Sequence, residues 1–333
     1  MKTQKIARWL SGVALAALAS CGGGGGDPAP STPQAAAVSA FPVTYAAGSE
    51  DLAAFNLLNL EREHCGFGNL TQNAQLDAAA RAHADYQIFN NLISHVEVAG
   101  NPNGFTGVLP SDRIAAAGYA GAGAVTDEIA GFIGTTQKTG LGEQALRNLL
   151  NAPYHLQGLM SGFRDVGLSV RSGLDTGTGS ATVILQIDAA FKKSVGPQLL
   201  AATAVHTYPC EGTSGVNRRL TNEEPNPVPG RNLSTTPLGS SIYVAVRVGN
   251  VLNISSASMI QIGTGQSVTL RAPITAANDP YGPCAAGCFQ PHQAYVVADA
   301  PLLASTPYQV SINGTNNGIA FTRSFTFTTG IGG

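Results

Sequence analysis

The feature that most constrains the fold is a change of hydrophobic period near the middle of the chain. From about residue 49 to 159 apolar residues recur at helical spacing, whereas after Pro209 they alternate with polar residues between turn signals. Between these parts, residues 166–170 and 182–187 read as an antiparallel pair of strands. The chain has 333 residues, which is enough for two domains with cores of their own. The sequence therefore predicts an α+β domain followed by an all-β domain.

Local signals place the helices of the first domain. Ser49 can cap a helix with an acidic first turn, and a second helix is expected to begin at Asn73 and to carry an alanine-rich face. Pro110 opens a short third helix, and GEQALRNLLN supplies a fourth before Pro153. His83 lies on the alanine-rich face, so we expect a hydrogen-bonded core residue there rather than a ligand.

The last third of the chain carries strand and hairpin signals. Residues 241–248 alternate in the way that a half-buried strand requires. Residues 308–312 and 325–327 alternate likewise, and Asn317-Gly318 between them offers a tight hairpin turn. The ending TPYQVSINGTNNGIAFTRSFTFTTG resembles the bacterial Ig-like modules of secreted and surface proteins. This resemblance implies an Ig-like β-sandwich at residues 210–333.

The first twenty residues predict export. Three basic residues precede an apolar run that is too short to span a bilayer. The LASC ending at Cys21 resembles a bacterial lipobox, which implies a signal peptide at residues 1–20 and a lipidated Cys21. Residues 21–48 read as a flexible Gly/Pro-rich tether. The expected location is the cell envelope, attached through lipid to the outer membrane; the alternative is a soluble, secreted extracellular protein.

The remaining cysteines predict disulfides. With Cys21 assigned to the anchor, four cysteines remain, an even number in an oxidising compartment. Cys284 and Cys288 lie in one Pro/Gly-rich loop and can close on each other, which by elimination leaves Cys65 with Cys210. A metal site at Cys284 and Cys288 is the alternative.

Polar motifs in the first domain follow a particular order. LNLEREHCGFGNLTQNAQLDAAARAHADY is followed by SH, SDRIAAAGY, DEIAG, NAPYH and DVGLSV. In this order and spacing the chain resembles the CAP superfamily, also called SCP-like, of cysteine-rich secretory and pathogenesis-related proteins. The resemblance covers about residues 50–191 and implies a CAP-type α-β-α sandwich at residues 49–209. It also implies that His95, Glu128 and His155 face one cleft.

The chemistry of these three residues leaves two interpretations open. Two imidazoles and a carboxylate can hold a divalent metal, so His95 and His155 are candidate ligands for zinc or a similar ion. A buried network that only stabilises the fold is the alternative. The family's Glu-Asn pair is here Glu128-Ile129, and Glu143 is the nearest acid on the helix before His155. These departures leave the site short of four ligands.

Three functions are compatible with the sequence. We favour a non-catalytic extracellular binding module for a small ligand, lipid, peptide or glycan, because no Gly-x-Ser-x-Gly nucleophile motif supports an enzyme. A metal-assisted hydrolase of peptides or esters with Glu128 as base is one alternative. A structural or adhesive surface lipoprotein is the other. The formal net charge of −2 gives nothing to attract nucleic acid.

Overall fold

The computed structural model of the chain describes residues 43–101, 103–174, 180–283 and 288–332. The predicted signal peptide, Cys21 and most of the predicted tether lie outside the described residues, as does Cys284. We refer to residues 43–204 as the N-terminal region and to residues 205–332 as the C-terminal region. Among the described helices, none is long and apolar enough to cross a bilayer.

The N-terminal region combines helices with a four-stranded sheet. Its helices are α1 (Glu50–His64), α2 (Ala74–Phe89), α3 (Pro110–Ala116), α4 (Leu141–Leu149) and α5 (Pro153–Met160). Its strands are β1 (Thr71–Gln72), β2 (Ala122–Thr135), β3 (Asp165–Leu174) and β4 (Ala181–Lys192). The strand order is β1-β3-β4-β2, with β1 parallel to β3 and the other pairs antiparallel. The predicted antiparallel pair, now β3 and β4, is confirmed.

The first two helices begin where the capping residues predict. The Ser49 hydroxyl accepts a hydrogen bond from the backbone N–H of Leu52 at 3.1 Å, and the Asn73 side chain caps α2 in the same way. Helix α2 lies so close to β3 that a Cβ at Gly167 would clash with the α2 backbone at Leu76, so this position requires glycine. Ala79, Ala80 and Ala84 of α2 are buried, as its alanine-rich face predicts.

Helices cover both faces of this first sheet. On β4, Leu185, Ile187 and Ala189 point into a core shared with α1, α4 and α5. Ile184 and Ala190 point to the other face, where they pack with residues of α2 and α3. This alternation is what a strand covered on two sides by helices requires.

The C-terminal region consists of strands in two further sheets. The middle sheet has the order β10-β11-β7-β5, and the outer sheet has the order β6-β13-β12-β8-β9. The strands are β5 (His206–Tyr208), β6 (Thr213–Val216), β7 (Ser241–Ala245), β8 (Leu252–Gln261), β9 (Ser267–Val268), β10 (Ile274–Thr275), β11 (Gln293–Val297), β12 (Pro307–Asn316) and β13 (Ile319–Thr329). The β12–β13 hairpin is confirmed, with Asn317 and Gly318 both at positive φ in the turn.

The middle sheet is buried on both faces, which corrects the prediction of a half-buried strand at residues 241–248. Ile242 and Val244 of β7 face the outer sheet, as the alternation predicts. Tyr243 and Ala245 were expected at the surface, but they pack against the core of the N-terminal region. The described residues accordingly belong to one compact unit.

A disulfide joins the two regions. Cys65, directly after α1, is bonded to Cys210, and their Cα atoms are 5.5 Å apart across a sequence separation of 145 residues. This pairing is the one that elimination predicts. Cys288 is also disulfide-bonded.

Candidate functional site

A cleft of about 690 Å³ lies between the two regions. From the N-terminal region it is lined by residues 93–96, by residues 129–132 of β2, and by the segment from the end of α4 to His155. The opposite wall is formed by residues 217–224 of the C-terminal region, where the sequence predicts no functional residue. The cleft is therefore built from both regions.

Three asparagine side chains hold the C-terminal wall in place. The Asn151 side chain donates a hydrogen bond to the carbonyl of Arg219 at 3.0 Å and accepts one from the backbone N–H of Ser241 at 2.8 Å. Asn217 donates to the side chain of Asn148 at 2.8 Å. These amides fix the segment before residue 223 against the end of α4, so that the next residues reach the start of α5.

Glu223 positions His155 from across the cleft. Helix α4 ends at Leu149, before Pro153, and Pro153 is the first residue of a separate helix, α5. The N-cap of α5, Ala152, has no polar side chain, and Glu223 instead accepts a hydrogen bond from the backbone N–H of Tyr154 at 3.0 Å. The same carboxylate accepts from His155 Nδ1 at 3.1 Å.

A second buried carboxylate positions His95. His95 Nδ1 donates to Asp127 at 2.8 Å, while its side chain is half exposed at the cleft. Arg113 is fully buried; it forms an ion pair with Asp127 and donates to the His95 carbonyl. The rings of His95 and His155 have their centroids 6.0 Å apart. Both imidazoles thus use Nδ1 for a carboxylate, and their remaining ring edges are the parts available to the cleft.

These contacts shift the ionisation of the site. The hydrogen bond to Asp127 raises the pKa of His95. Burial alone would lower the pKa of His155, but the carboxylate of Glu223 outweighs it and raises this pKa to about 9. Burial would raise the pKa of Asp127, yet the hydrogen bond from His95 and the charge of Arg113 hold it below its ordinary value. Both histidine shifts therefore favour the positively charged imidazole.

Glu128 is near the histidines but does not line the cleft. It is buried, it accepts a hydrogen bond from the Thr126 hydroxyl, and it packs against α5 at Gly158, where a side chain would clash with it. Burial raises its pKa to about 7, although the nearby charge of His155 opposes this shift. The structure thus brings His95 and His155 together in the cleft and keeps Glu128 behind them.

The fit of this site to a metal is limited. In the part of the chain that the structure describes, no three His, Cys, Asp or Glu side chains are grouped so that they could hold a metal ion. Histidines whose Nδ1 is held by a carboxylate are typical of metal centres. Two imidazoles alone, however, fall short of the three protein ligands of a catalytic zinc site. The residues present therefore do not fit such a centre.

Sequence reasoning missed Arg113, Asp127 and Glu223. Asp127 adjoins Glu128 in the DEIAG motif, and Arg113 lies in the preceding SDRIAAAGY motif, but only the structure shows that the two are buried as a pair. Glu223 lies in NEEPNP, which reads as a solvated turn. His83 is the core histidine that the sequence predicts, fully buried with Nδ1 at 2.9 Å from Glu97.

Comparison with known proteins gives partial structural similarity. No protein-family model and no curated protein sequence matches the chain. An outer surface protein from Borrelia burgdorferi is 16% identical, with a TM-score of 0.35, over 43% of this chain and 93% of that one. An extracellular protein containing a SCP domain from Bacillus anthracis str. Ames is 22% identical, with a TM-score of 0.34, over 43% of this chain and 40% of that one.

Proposed function

We propose that the protein is an exported, envelope-attached binding module of CAP type. Its cleft takes a small ligand, lipid, peptide or glycan and leaves it chemically unchanged. The observation that supports this proposal best is the construction of the cleft from both regions around His95 and His155. Each imidazole is fixed by a buried carboxylate, so the cleft presents two polar groups that already have a fixed orientation.

The polar groups in the cleft favour binding over catalysis. Ser94 is the serine beside His95, but its hydroxyl donates to the Val96 carbonyl and accepts from the Val96 backbone N–H. Nucleophilic catalysis needs a hydroxyl paired with a base, whereas the Ser94 hydroxyl bonds to backbone groups and not to a ring nitrogen of His95. The cleft therefore has groups that can orient a ligand without a prepared nucleophile.

The hydrolase alternative depends on Glu128. Its pKa of about 7 suits a general base, and this is the observation in its favour. A general base must reach the proton that it removes, and Glu128 is separated from the cleft by its burial against α5. Hydrolysis is therefore the second candidate.

Calorimetry on matched variants tests the proposal. The probes are palmitate, chitotetraose, tetra-alanine and zinc, each titrated into the wild type, into His155→Gln and into His64→Gln. His64 is an exposed histidine outside the cleft, so its variant is the control. We expect binding of an organic probe that His155→Gln weakens and His64→Gln does not. Equal binding by all three proteins would place the ligand elsewhere, and turnover of p-nitrophenyl acetate that Glu128→Gln abolishes would establish the hydrolase.

A further inference from the structure

A second cavity, of about 390 Å³, lies away from the candidate site. The described residues that line it are all different from those that line the cleft around His95 and His155. From the N-terminal region it is lined by the second half of α5 and the start of β2, and from the C-terminal region by residues of β7 and by the segment around His292. Its volume is within the range of small-molecule sites in proteins, about 300–1,000 Å³.

The walls of this second cavity are largely apolar and carry four aromatic rings. Phe163 and Phe191 form one pair, with ring centroids 6.2 Å apart, and Phe67 and Tyr243 form another, with centroids 6.0 Å apart. Aromatic rings attract one another at such separations, in tilted as well as stacked arrangements. The same rings therefore suit a planar aromatic group placed among them.

The lining is uncharged in the part of the chain that the structure describes. The residues that line the cavity there include no Asp, Glu, Lys or Arg. The histidine among them, His292, has no carboxylate bonded to its ring, and burial lowers its pKa, so the imidazole is neutral at neutral pH. A charged ligand would lose its hydration in this cavity without gaining an opposite charge.

Gln157 presents a hydrogen-bond acceptor at this cavity. Its side-chain nitrogen donates to the carbonyl of Cys288 at 3.1 Å, which only a nitrogen can do, so the oxygen is the other end of the amide. This oxygen, Oε1, is buried and has no hydrogen-bond partner among the described residues. Buried carbonyl oxygens in proteins are nearly always paired. The unpaired Oε1 therefore indicates where a donor group of a ligand would bind.

We propose that the second cavity binds an uncharged aromatic molecule that carries a hydroxyl or N–H group, and that this group donates to Gln157 Oε1. The apolar walls and the aromatic pairs surround the ring of the ligand, while the single acceptor fixes its orientation. The uncharged lining disfavours an ionic ligand of the same shape. The proposal goes beyond the proposed function, since the cavity and its residues are separate from the cleft.

Equilibrium dialysis with three probes of one shape tests this proposal. Naphthol carries a donor, its methyl ether has the same rings without a donor, and naphthoate is an anion. The protein is the chain from residue 21 onward with Cys21→Ser, so that neither the apolar run of the first twenty residues nor an acyl group competes for the cavity. Gln157→Met removes the acceptor, and the control Gln75→Met makes the same change at an exposed glutamine of α2 outside the cavity.

We expect the wild type to bind naphthol at least about fivefold more tightly than the methyl ether, because one ordinary hydrogen bond contributes about that factor. Naphthoate should bind more weakly than naphthol, because the cavity offers it no opposite charge. Gln157→Met should bind naphthol about fivefold more weakly than the wild type does. It should bind the methyl ether like the wild type, which shows that the cavity keeps its shape without the bond to Cys288. Gln75→Met should match the wild type with all three probes.

No binding of naphthol by the wild type would overturn the proposal, as would equal binding of naphthol and its methyl ether. Tighter binding of naphthoate than of naphthol would show that the cavity selects an anion, which also overturns it. So would a folded Gln157→Met variant that binds naphthol as tightly as the wild type. The comparison of the three probes on the wild type decides the question by itself where Gln157→Met does not fold.

Discussion

Removing the Cys65–Cys210 disulfide should lower the free energy of unfolding by about 5 kcal/mol. The bond closes a loop across 145 residues. In the chain-entropy model, opening a loop of this length stabilises the unfolded chain by about 5 kcal/mol, because the chain regains conformational entropy. A domain has only about 5–15 kcal/mol of stability in total, so the effect should be severe. Both cysteines are buried at the junction of the two regions, and replacement of both by alanine avoids leaving a buried polar thiol.

Equilibrium urea unfolding followed by circular dichroism measures this loss. The comparison is between the wild type and Cys65→Ala/Cys210→Ala, both without reductant. Adding reductant to the variant then isolates the contribution of the disulfide that contains Cys288. A double variant within about 1 kcal/mol of the wild type would show that the disulfide does not stabilise the fold by constraining the unfolded chain, because closing a loop of this length should contribute more than that.

Three further substitutions test the packing and the buried charges. His83→Ala should cost about 3 kcal/mol in urea unfolding, because it leaves the buried Glu97 carboxylate without its imidazole partner; a cost below about 1 kcal/mol would contradict this. Gly158→Ala should cost about 1–3 kcal/mol, because the new methyl group meets Glu128, and an unchanged melting temperature would show that α5 can move away freely. Burial raises the pKa of Glu61 from 4.5 to about 7. The contribution of Glu61 to stability is therefore complete below pH 4.5 and is lost as the pH rises through 7. Glu61→Gln should remove about 3 kcal/mol of this pH dependence, and an unchanged pH profile of stability would argue against it.

Local signals predicted elements whose neighbours lie close in sequence. Ser49 and Asn73 cap α1 and α2 with their own side chains, and the β12–β13 hairpin follows from a turn between two alternating strands. These features depend on interactions within a few residues, which the sequence displays directly.

Strand β7 shows where such local reasoning ends. The alternation of residues 241–248 correctly predicts an inward face at Ile242 and Val244. It cannot show that a second region covers the opposite face, because Tyr243 and Ala245 would look the same against solvent. The middle sheet is therefore a consequence of packing between regions, which periodicity does not encode.

The candidate site likewise contains residues that the sequence could predict and one that it could not. His95 and His155 were predicted through a family resemblance, and the structure brings their rings to within 6.0 Å. Glu223 is 68 residues away from His155, in a segment with the composition of a solvated turn. No local pattern distinguishes it from its exposed neighbour Glu224, so its role becomes visible only when the C-terminal region is placed against α5.

The most direct test of a cleft built from both regions is the pKa of His155 measured by NMR. We expect a pKa raised to about 9 from the ordinary 6.5, because Glu223 of the C-terminal region bonds to the His155 ring. In Glu223→Gln the pKa should fall by at least about one unit, whereas the control Glu224→Gln should leave it unchanged. A wild-type pKa near 6.5 that neither substitution alters would show that Glu223 does not bond to His155 and that the C-terminal region does not complete the cleft.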